Sequence, residues 1–203
     1  DLFGVRLCGE GIVDFLQGCE YVFEAEKQIF QDPYMKAAGG RNRFGQKGRL
    51  RGKFDFSEFD WSGENRKPIA FEDMILYQCH LRGFTKHNSS GVKAPGTFSG
   101  FCEKLDYLEK LGINTVIFLP LYDFNERMEK QNGKINYWGY SGDACYFAPK
   151  ASYAVNPADA VIECKEMIKK MHKKGMNVVL DMHFDKCSPQ FMIRCLRYYV
   201  TEY

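Results

Sequence analysis

The chain has 203 residues, 45% of them hydrophobic and 27% charged, a balance that builds an ordered core and excludes a disordered tail. A formal net charge of +2 gives no reason to expect a nucleic-acid or membrane-surface partner, because those partners draw on strong charge of one sign. No apolar run approaches the roughly eighteen residues that a spanning helix needs, so no membrane partner is expected either.

The chain starts DLFGVRLCGEG, with no initiator Met and no charged segment ahead of an apolar stretch. It reads as cut from something longer, with the cytoplasm as the expected compartment and a leader upstream of Asp1 left open. Eight cysteines are scattered without a C-x-x-C pair and read as reduced, structural thiols.

Residues 2 to 30 hold short β-like runs, LFGVRL, YVFEAE and QIF, too few for a complete sandwich. From Asp32 to Pro68 the chain is rich in Gly, Arg and Lys without a sustained period, which predicts an irregular linker wrapped on a neighbour. Within it, GGRNRFGQKGRLRGK carries six basic residues and no acidic one. It reads as a solvated linker in preference to a contact for anionic polymers, since only Phe44 interleaves the charges.

After Pro68 the pattern changes. DMILYQCHLRGFT has the apolar density and length of a buried strand, and GTFSGFCEKLDYLEKLGI sets Phe101, Leu105 and Leu108 at helical spacing. NTVIFLP is a second strand. A helix then follows Asn156 as cap and Pro157 at its first position, and Gly175 ends it. NVVLDMHF is the third strand, and a third helix starts near Pro189. Three apolar strands alternating with amphipathic helices predict an α/β fold with parallel strands, as an open sheet or a barrel.

Ligands of such folds gather at the carboxyl ends of the strands. There the stretch NYWGYSGDACYFAPKASYA sets six aromatic rings in a loop, Tyr137, Trp138, Tyr140, Tyr146, Phe147 and Tyr153, close to Asp123, Asn125 and Asp143. Flat faces with polar tips suit sugar rings, and they equally suit pinning a long loop to the scaffold. Gly139 predicts a tight turn that sends the Trp138 and Tyr140 rings in different directions. Asp181, at the end of the third strand, requires a partner if buried, as a site carboxylate or as the mate of an arginine. His183 shares its face if the strand persists. No phosphate loop, nucleophile elbow or metal-ligand cluster is present in the sequence, and no metal or cofactor is expected.

These stretches together resemble the α-amylase superfamily of glycoside hydrolases, family 13, and its debranching branch of isoamylases, pullulanases and glycogen debranching enzymes. FDWSGENRKPIAFEDMILYQCHLRGFTKHNSSGVKAPGTFSGFCEKLDYLEKLGINTVIFLP resembles that branch's entry into its barrel, and NYWGYSGDACYFAPKASYA its second strand-helix loop. GMNVVLDMHF is similar to its third barrel strand, and DPYMKAAGGRNRFG to the exit from its N-terminal starch-binding sandwich.

The resemblance implies residues 1–34 as the end of that sandwich, 35–70 as a basic linker, and 71–203 as the first three units of a (β/α)₈ TIM barrel. It implies an α-glucan partner (glycogen, starch or pullulan), with Tyr140 and Trp138 at the sugar, Asp181 supporting the floor of the site, and His183 beside it. Where relatives have an Asn-His pair this chain has Asp185 and Lys186. The family's carboxylates lie on later strands, so no catalytic residue is assigned here and the chain alone is expected to be inactive. The parent would be a retaining hydrolase, with two carboxyls about 5 Å apart. A non-catalytic carbohydrate-binding or scaffold protein built on the same barrel is the rival reading. The remaining barrel is an implied partner, and a three-unit piece is expected to self-associate.

Overall fold

The computed structural model describes residues 5–64, 68–127, 135–140 and 143–203. Its first element is a short helix, α1 (Ile12–Leu16), followed by β1 (Glu20–Tyr21), β2 (Phe23–Ala25) and β3 (Gln28–Phe30). β2 and β3 form an antiparallel hairpin whose two turn residues, Glu26 and Lys27, both have positive φ, as a two-residue hairpin of right-handed twist requires. The first predicted run does not form a strand: residues 5–9 carry no regular structure, and residues 2–4 lie outside the described residues.

The segment expected to be an irregular linker is partly ordered into sheet. β4 (Ala38–Gly39) and β5 (Arg51–Lys53) pair antiparallel with each other and β5 pairs with β1, so one small sheet straddles the boundary drawn at residue 34. Gly52 makes this possible, because the Tyr21 ring lies where a Cβ would stand, 2.3 Å away. Met35, Ala38 and Leu50 are buried against Cys145 and Ala148 of the later chain.

The α/β part begins with β6 (Leu76–Cys79), shorter than its apolar run, because His80 turns the chain into α2 (Leu81–Lys86). The first predicted helix is broken in two, α3 (Phe98–Cys102) and α4 (Leu105–Lys110), with Phe98, Phe101, Leu105 and Leu108 inward. β7 (Thr115–Phe118) follows, then a hairpin of β8 (Tyr122–Phe124) and β9 (Ala144–Pro149). α5 (Ala160–Lys173) is entered through a 3₁₀ turn capped by the Asn156 side chain, which accepts from the Ala158 amide. It closes with bonds from Gly175 to His172 and from Met176 to Met171, a Schellman ending. β10 (Asn177–Leu180) and α6 (Pro189–Glu202), capped by Ser188, complete the chain.

β6, β7 and β10 form one parallel sheet with β7 in the centre, and their last residues, Cys79, Phe118 and Leu180, stand level. One face, with Val116 and Phe118, packs into the core formed by α3, α4 and α5. On the other face Val179 is exposed and Ile117 half-buried, so the outer strands are not the doubly covered strands their composition suggested.

The N-terminal segment is fastened to this scaffold by charge. Arg41, inside the basic stretch read as a solvated linker, is buried, with its guanidinium 3.4 Å from the Asp123 carboxylate. Lys150 lies 3.7 Å from Asp123 and 2.9 Å from Glu126, and donates to the Phe124 carbonyl at 2.8 Å. All four side chains are shielded from water, so removing one partner leaves a buried charge uncompensated. Lys150→Met is therefore expected to lower stability by about 3–5 kcal/mol. Arg51→Ala, which removes only a half-exposed pair with Glu20, should cost less than about 1 kcal/mol; urea unfolding of both variants measures the contrast.

Candidate functional site

Because the three parallel strands end level, the next residues of the two outer strands, His80 and Asp181, stand on either side of β7 at the carboxyl edge of the sheet. The pairing continues one step further in the backbone. Leu119 donates to the Cys79 carbonyl at 3.0 Å and Asp181 to the Phe118 carbonyl at 2.9 Å.

Between them lies the turn 135–140. The Gly139 amide donates to the Asn136 side-chain oxygen at 3.1 Å, and Gly139 itself has φ 79°. A Cβ there would meet the Phe124 ring at 2.7 Å, so position and conformation both demand glycine. The two flanking rings diverge as predicted. Trp138 is 52% exposed and sets its edge against His80 and Tyr137, whereas Tyr140 turns to the other side.

Tyr140 donates its hydroxyl proton to Asp181 at 2.7 Å, and its ring meets the exposed His183 edge-on at 5.7 Å. Partial burial, with the Asp181 carboxylate beside it, pushes the Tyr140 phenol up to about 12, so it stays a donor. The partner that Asp181 needs is thus the tyrosine hydroxyl. Strand geometry ends at Leu180, and His183 is held instead through its carbonyl, which lies 3.3 Å from the Tyr122 hydroxyl. The same hydroxyl reaches the Gly139 carbonyl at 3.2 Å, tying the aromatic turn to the loop after β10. Tyr140, Asp181 and His183 are brought together; Trp138 stands on the same turn and faces His80.

The rest of the aromatic stretch does not reach the rim. Tyr146 and Phe147 are buried, because Ala144–Pro149 is a strand paired with β8 and its rings pack on Tyr122, Phe184 and Phe191, and Tyr153, in the turn that follows, is buried against Phe44, His80 and Phe98. The Tyr146 hydroxyl accepts from the Asp185 amide at 2.9 Å and so shapes the loop after β10. Asp123 is committed to the buried ion pairs, while Asn125 accepts from the Arg127 amide. Phe44 of the basic stretch packs beside Tyr137 and Tyr153, with the Arg82 guanidinium 4.5 Å from its ring centre.

Sequence reasoning passed over His80. Its Nδ1 accepts from the Gly83 amide at 2.9 Å, which puts the ring proton on Nε2, 2.9 Å from the Tyr137 carbonyl. The Tyr153 hydroxyl lies 3.1 Å from the same nitrogen, and the ring stacks on Tyr137 at 4.3 Å. The signal available was a lone histidine between an apolar strand and L-R-G, where a side-chain acceptor can cap a helix. Among the described residues no group of three or more His, Cys, Asp or Glu is arranged to hold a metal ion.

The family model for alpha-amylase, described as alpha amylase, catalytic domain, matches residues 78–194, from the last two residues of β6 into α6. The chain belongs to the alpha-amylase family. Isoamylase 1, chloroplastic, of Oryza sativa subsp. japonica is 35% identical over 199 residues, which cover 91% of this chain and 24% of that protein. The structure of pullulanase from Bacillus acidopullulyticus superposes with a TM-score of 0.73 at 23% identity, covering 93% of this chain and 30% of that one. Pullulanase type I from Bacillus subtilis str. 168, complexed with maltose, is 29% identical with a TM-score of 0.64, covering 86% of this chain and 27% of that one. The chain thus has an alpha-amylase-type α/β fold and spans about a quarter of the length of the isoamylase it matches.

Burial, against only partial relief from the Tyr137 carbonyl, lowers the His80 pKa from 6.5 to about 4. Between those values the unfolded chain binds the extra proton, so the contribution is complete above about pH 6.5 and is lost as pH falls toward 4. Urea unfolding across this window should show a loss on the order of 3 kcal/mol, and His80→Gln should remove that pH slope.

Proposed function

We propose that this chain is the N-terminal portion of a retaining α-glucan hydrolase of the debranching type, with β6, β7 and β10 as the first three strands of a (β/α)₈ barrel and residues 1–70 as the end of a sandwich module with its basic linker. The observation that carries this reading is the Tyr140–Asp181 bond at the carboxyl edge of the parallel sheet, on a turn that also presents Trp138 to solvent. An aromatic face beside a carboxylate suits a glucose ring, whose C–H face stacks while its hydroxyls are hydrogen-bonded. The 29% identical pullulanase complexed with maltose supports the same ligand class.

In this role Tyr140 stacks on the sugar and Asp181 holds the tyrosine hydroxyl, fixing the ring. Asp181 orients rather than reacts, and no residue of the chain is assigned as nucleophile or acid. The exposed sheet face with Val179, and exposed Leu76, Leu196 and Val200, fit strands and helices of a larger barrel packing there.

A second reading has a specific observation behind it. Asp185 and Lys186 stand where the family resemblance implies an Asn-His pair, and Lys186 is exposed with φ 53°. A protein that kept the aromatic turn and lost the sugar-contacting histidine would bind glucan without cleaving it.

Release of reducing sugar from pullulan and glycogen separates these readings. Activity is expected only from a chain extended through the remaining strands; silence there, with glucan still bound, supports the non-catalytic binder. Within the chain itself, Tyr140→Ala should weaken maltohexaose binding about tenfold and Tyr140→Phe much less, as titration calorimetry would measure. The 203-residue chain alone is expected to self-associate through its open sheet face, and a monodisperse monomer in light scattering would contradict that.

A further inference from the structure

The groove lined by Val178, Leu180, Met182, Leu196, Tyr199 and Val200 lies between β10 and the helices α5 and α6, on the helix-covered face of the sheet, and nothing in the structure shows what would fill it. The buried cluster of Arg41, Asp123, Glu126 and Lys150 is filled by its own cations. The interactions around His80 lead further.

His80 has no place in the glucan chemistry described so far, yet each polar atom of its ring is committed in a definite direction. Nδ1 faces back into its own strand-helix junction and takes the Gly83 amide; Nε2 faces across the site to the Tyr137 carbonyl. The imidazole plane underlies the Tyr137 ring, 20° from parallel, and the Trp138 ring meets it at 87°. Gly83 is held close on the other side, since a Cβ there would come within 2.9 Å of the Tyr137 hydroxyl. The ring therefore joins the end of β6 to the start of the turn whose far end puts Tyr140 on Asp181.

We propose that His80 is a positioning residue for glucan recognition, acting through its Nε2–H bond to the Tyr137 carbonyl and its stacking on Tyr137 to set the Trp138–Gly139–Tyr140 turn. The inference rests on the glucan-binding reading for the identity of the ligand, and on geometry alone for the positioning. One end of the turn is fixed by His80, the middle by Asn136 and by Tyr122, and the far end by Asp181. Releasing the first anchor leaves Trp138 and Tyr140 to reorient about Gly139; it also takes a partner from the buried Tyr153 hydroxyl, 3.1 Å from Nε2, so folding is checked alongside. Protonation is disfavoured in this setting, first by burial of the ring: a second ring proton would also sit on Nδ1 against the Gly83 amide, and Arg82 and Lys150 add unfavourable positive charge.

Two isosteric changes separate positioning from helix capping. In His80→Asn the side-chain oxygen reproduces the Nδ1 acceptor and keeps the cap on Gly83, but nothing reaches Tyr137. In His80→Gln the amide nitrogen reproduces the Nε2 donor and gives up the cap. The chain has two tryptophans, so a Trp61→Phe background makes Trp138 the only fluorophore of its kind. The readouts are acrylamide quenching of Trp138 and maltohexaose affinity, at neutral pH, with thermal unfolding as the check on folding.

The expected result is wild-type-like quenching and affinity within about twofold for the Gln variant. The Asn variant should show altered quenching and about fivefold weaker binding, the effect of one lost hydrogen bond. An Asn variant that behaves as wild type while Gln fails would reduce His80 to a cap and overturn the proposal. Two variants that behave alike, both normal or both impaired, overturn it equally. If the unsubstituted chain binds no maltohexaose, the glucan reading falls on its own, and the quenching comparison still decides whether His80 sets the turn.

Discussion

The in-register pairing of β6 and β10 on β7 is the constraint on which the site depends. Each strand contributes four residues, and their level ends put His80 and Asp181 one step beyond the last paired residues on opposite sides of β7. A parallel pair slipped by one residue would reverse which face each side chain takes and would carry Asp181 away from the Tyr140 hydroxyl. The register is held from below by Val116, Phe118, Met167 and Met171, buried between the sheet and its helices. Packing of a few apolar side chains thus sets the placement of polar ones at the edge.

Above that edge the aromatic residues divide by pairing partner. Those in β9 are drawn inward because the strand hydrogen-bonds to β8 and its rings find Tyr122, Phe184 and Phe191. Those before Gly139 and Tyr140 lie in a turn with no ladder partner, so their positions come from side-chain bonds to His80, Tyr122, Asn136 and Asp181. Tyr122 and Tyr146 serve both sets, burying their rings while their hydroxyls bind the backbone of the turn and of the loop after β10. A half-polar ring suits this double duty: the face is buried and the hydroxyl stays bonded.

The early residues of the chain belong to the same arrangement. β4 and β5 pair with β1, Met35 and Leu50 pack on β9, and Phe44 sits beside Tyr137 and Tyr153. The ion pairs of Arg41 and Lys150 with Asp123 and Glu126 are buried, so the desolvation of the charges offsets much of their attraction. Removing a single partner is costly, and it is this cost that couples residue 41 to the hairpin nearly a hundred positions later.

The sequence by itself determined the class of the fold. Apolar strands alternating with amphipathic helices, the Asn156–Pro157 helix start, the divergent rings around Gly139 and the placing of Tyr140 and Asp181 at strand ends were all readable. They depend on local propensity, spacing and caps, and the resemblance to the debranching branch rested on the same stretches. Only the tertiary structure decided that Tyr146, Phe147 and Tyr153 belong to the core, that Arg41 is buried in an ionic cluster rather than solvated, and that His80 joins β6 to the aromatic turn. Each of these depends on partners far away in the chain: Tyr122 for Tyr146, Phe191 for Phe147, Phe98 and His80 for Tyr153, Asp123 for the arginine, the Tyr137 carbonyl for the histidine. Whether an aromatic ring or a charge faces water or protein is set by what the fold brings against it, and a pattern along the chain does not contain that distance.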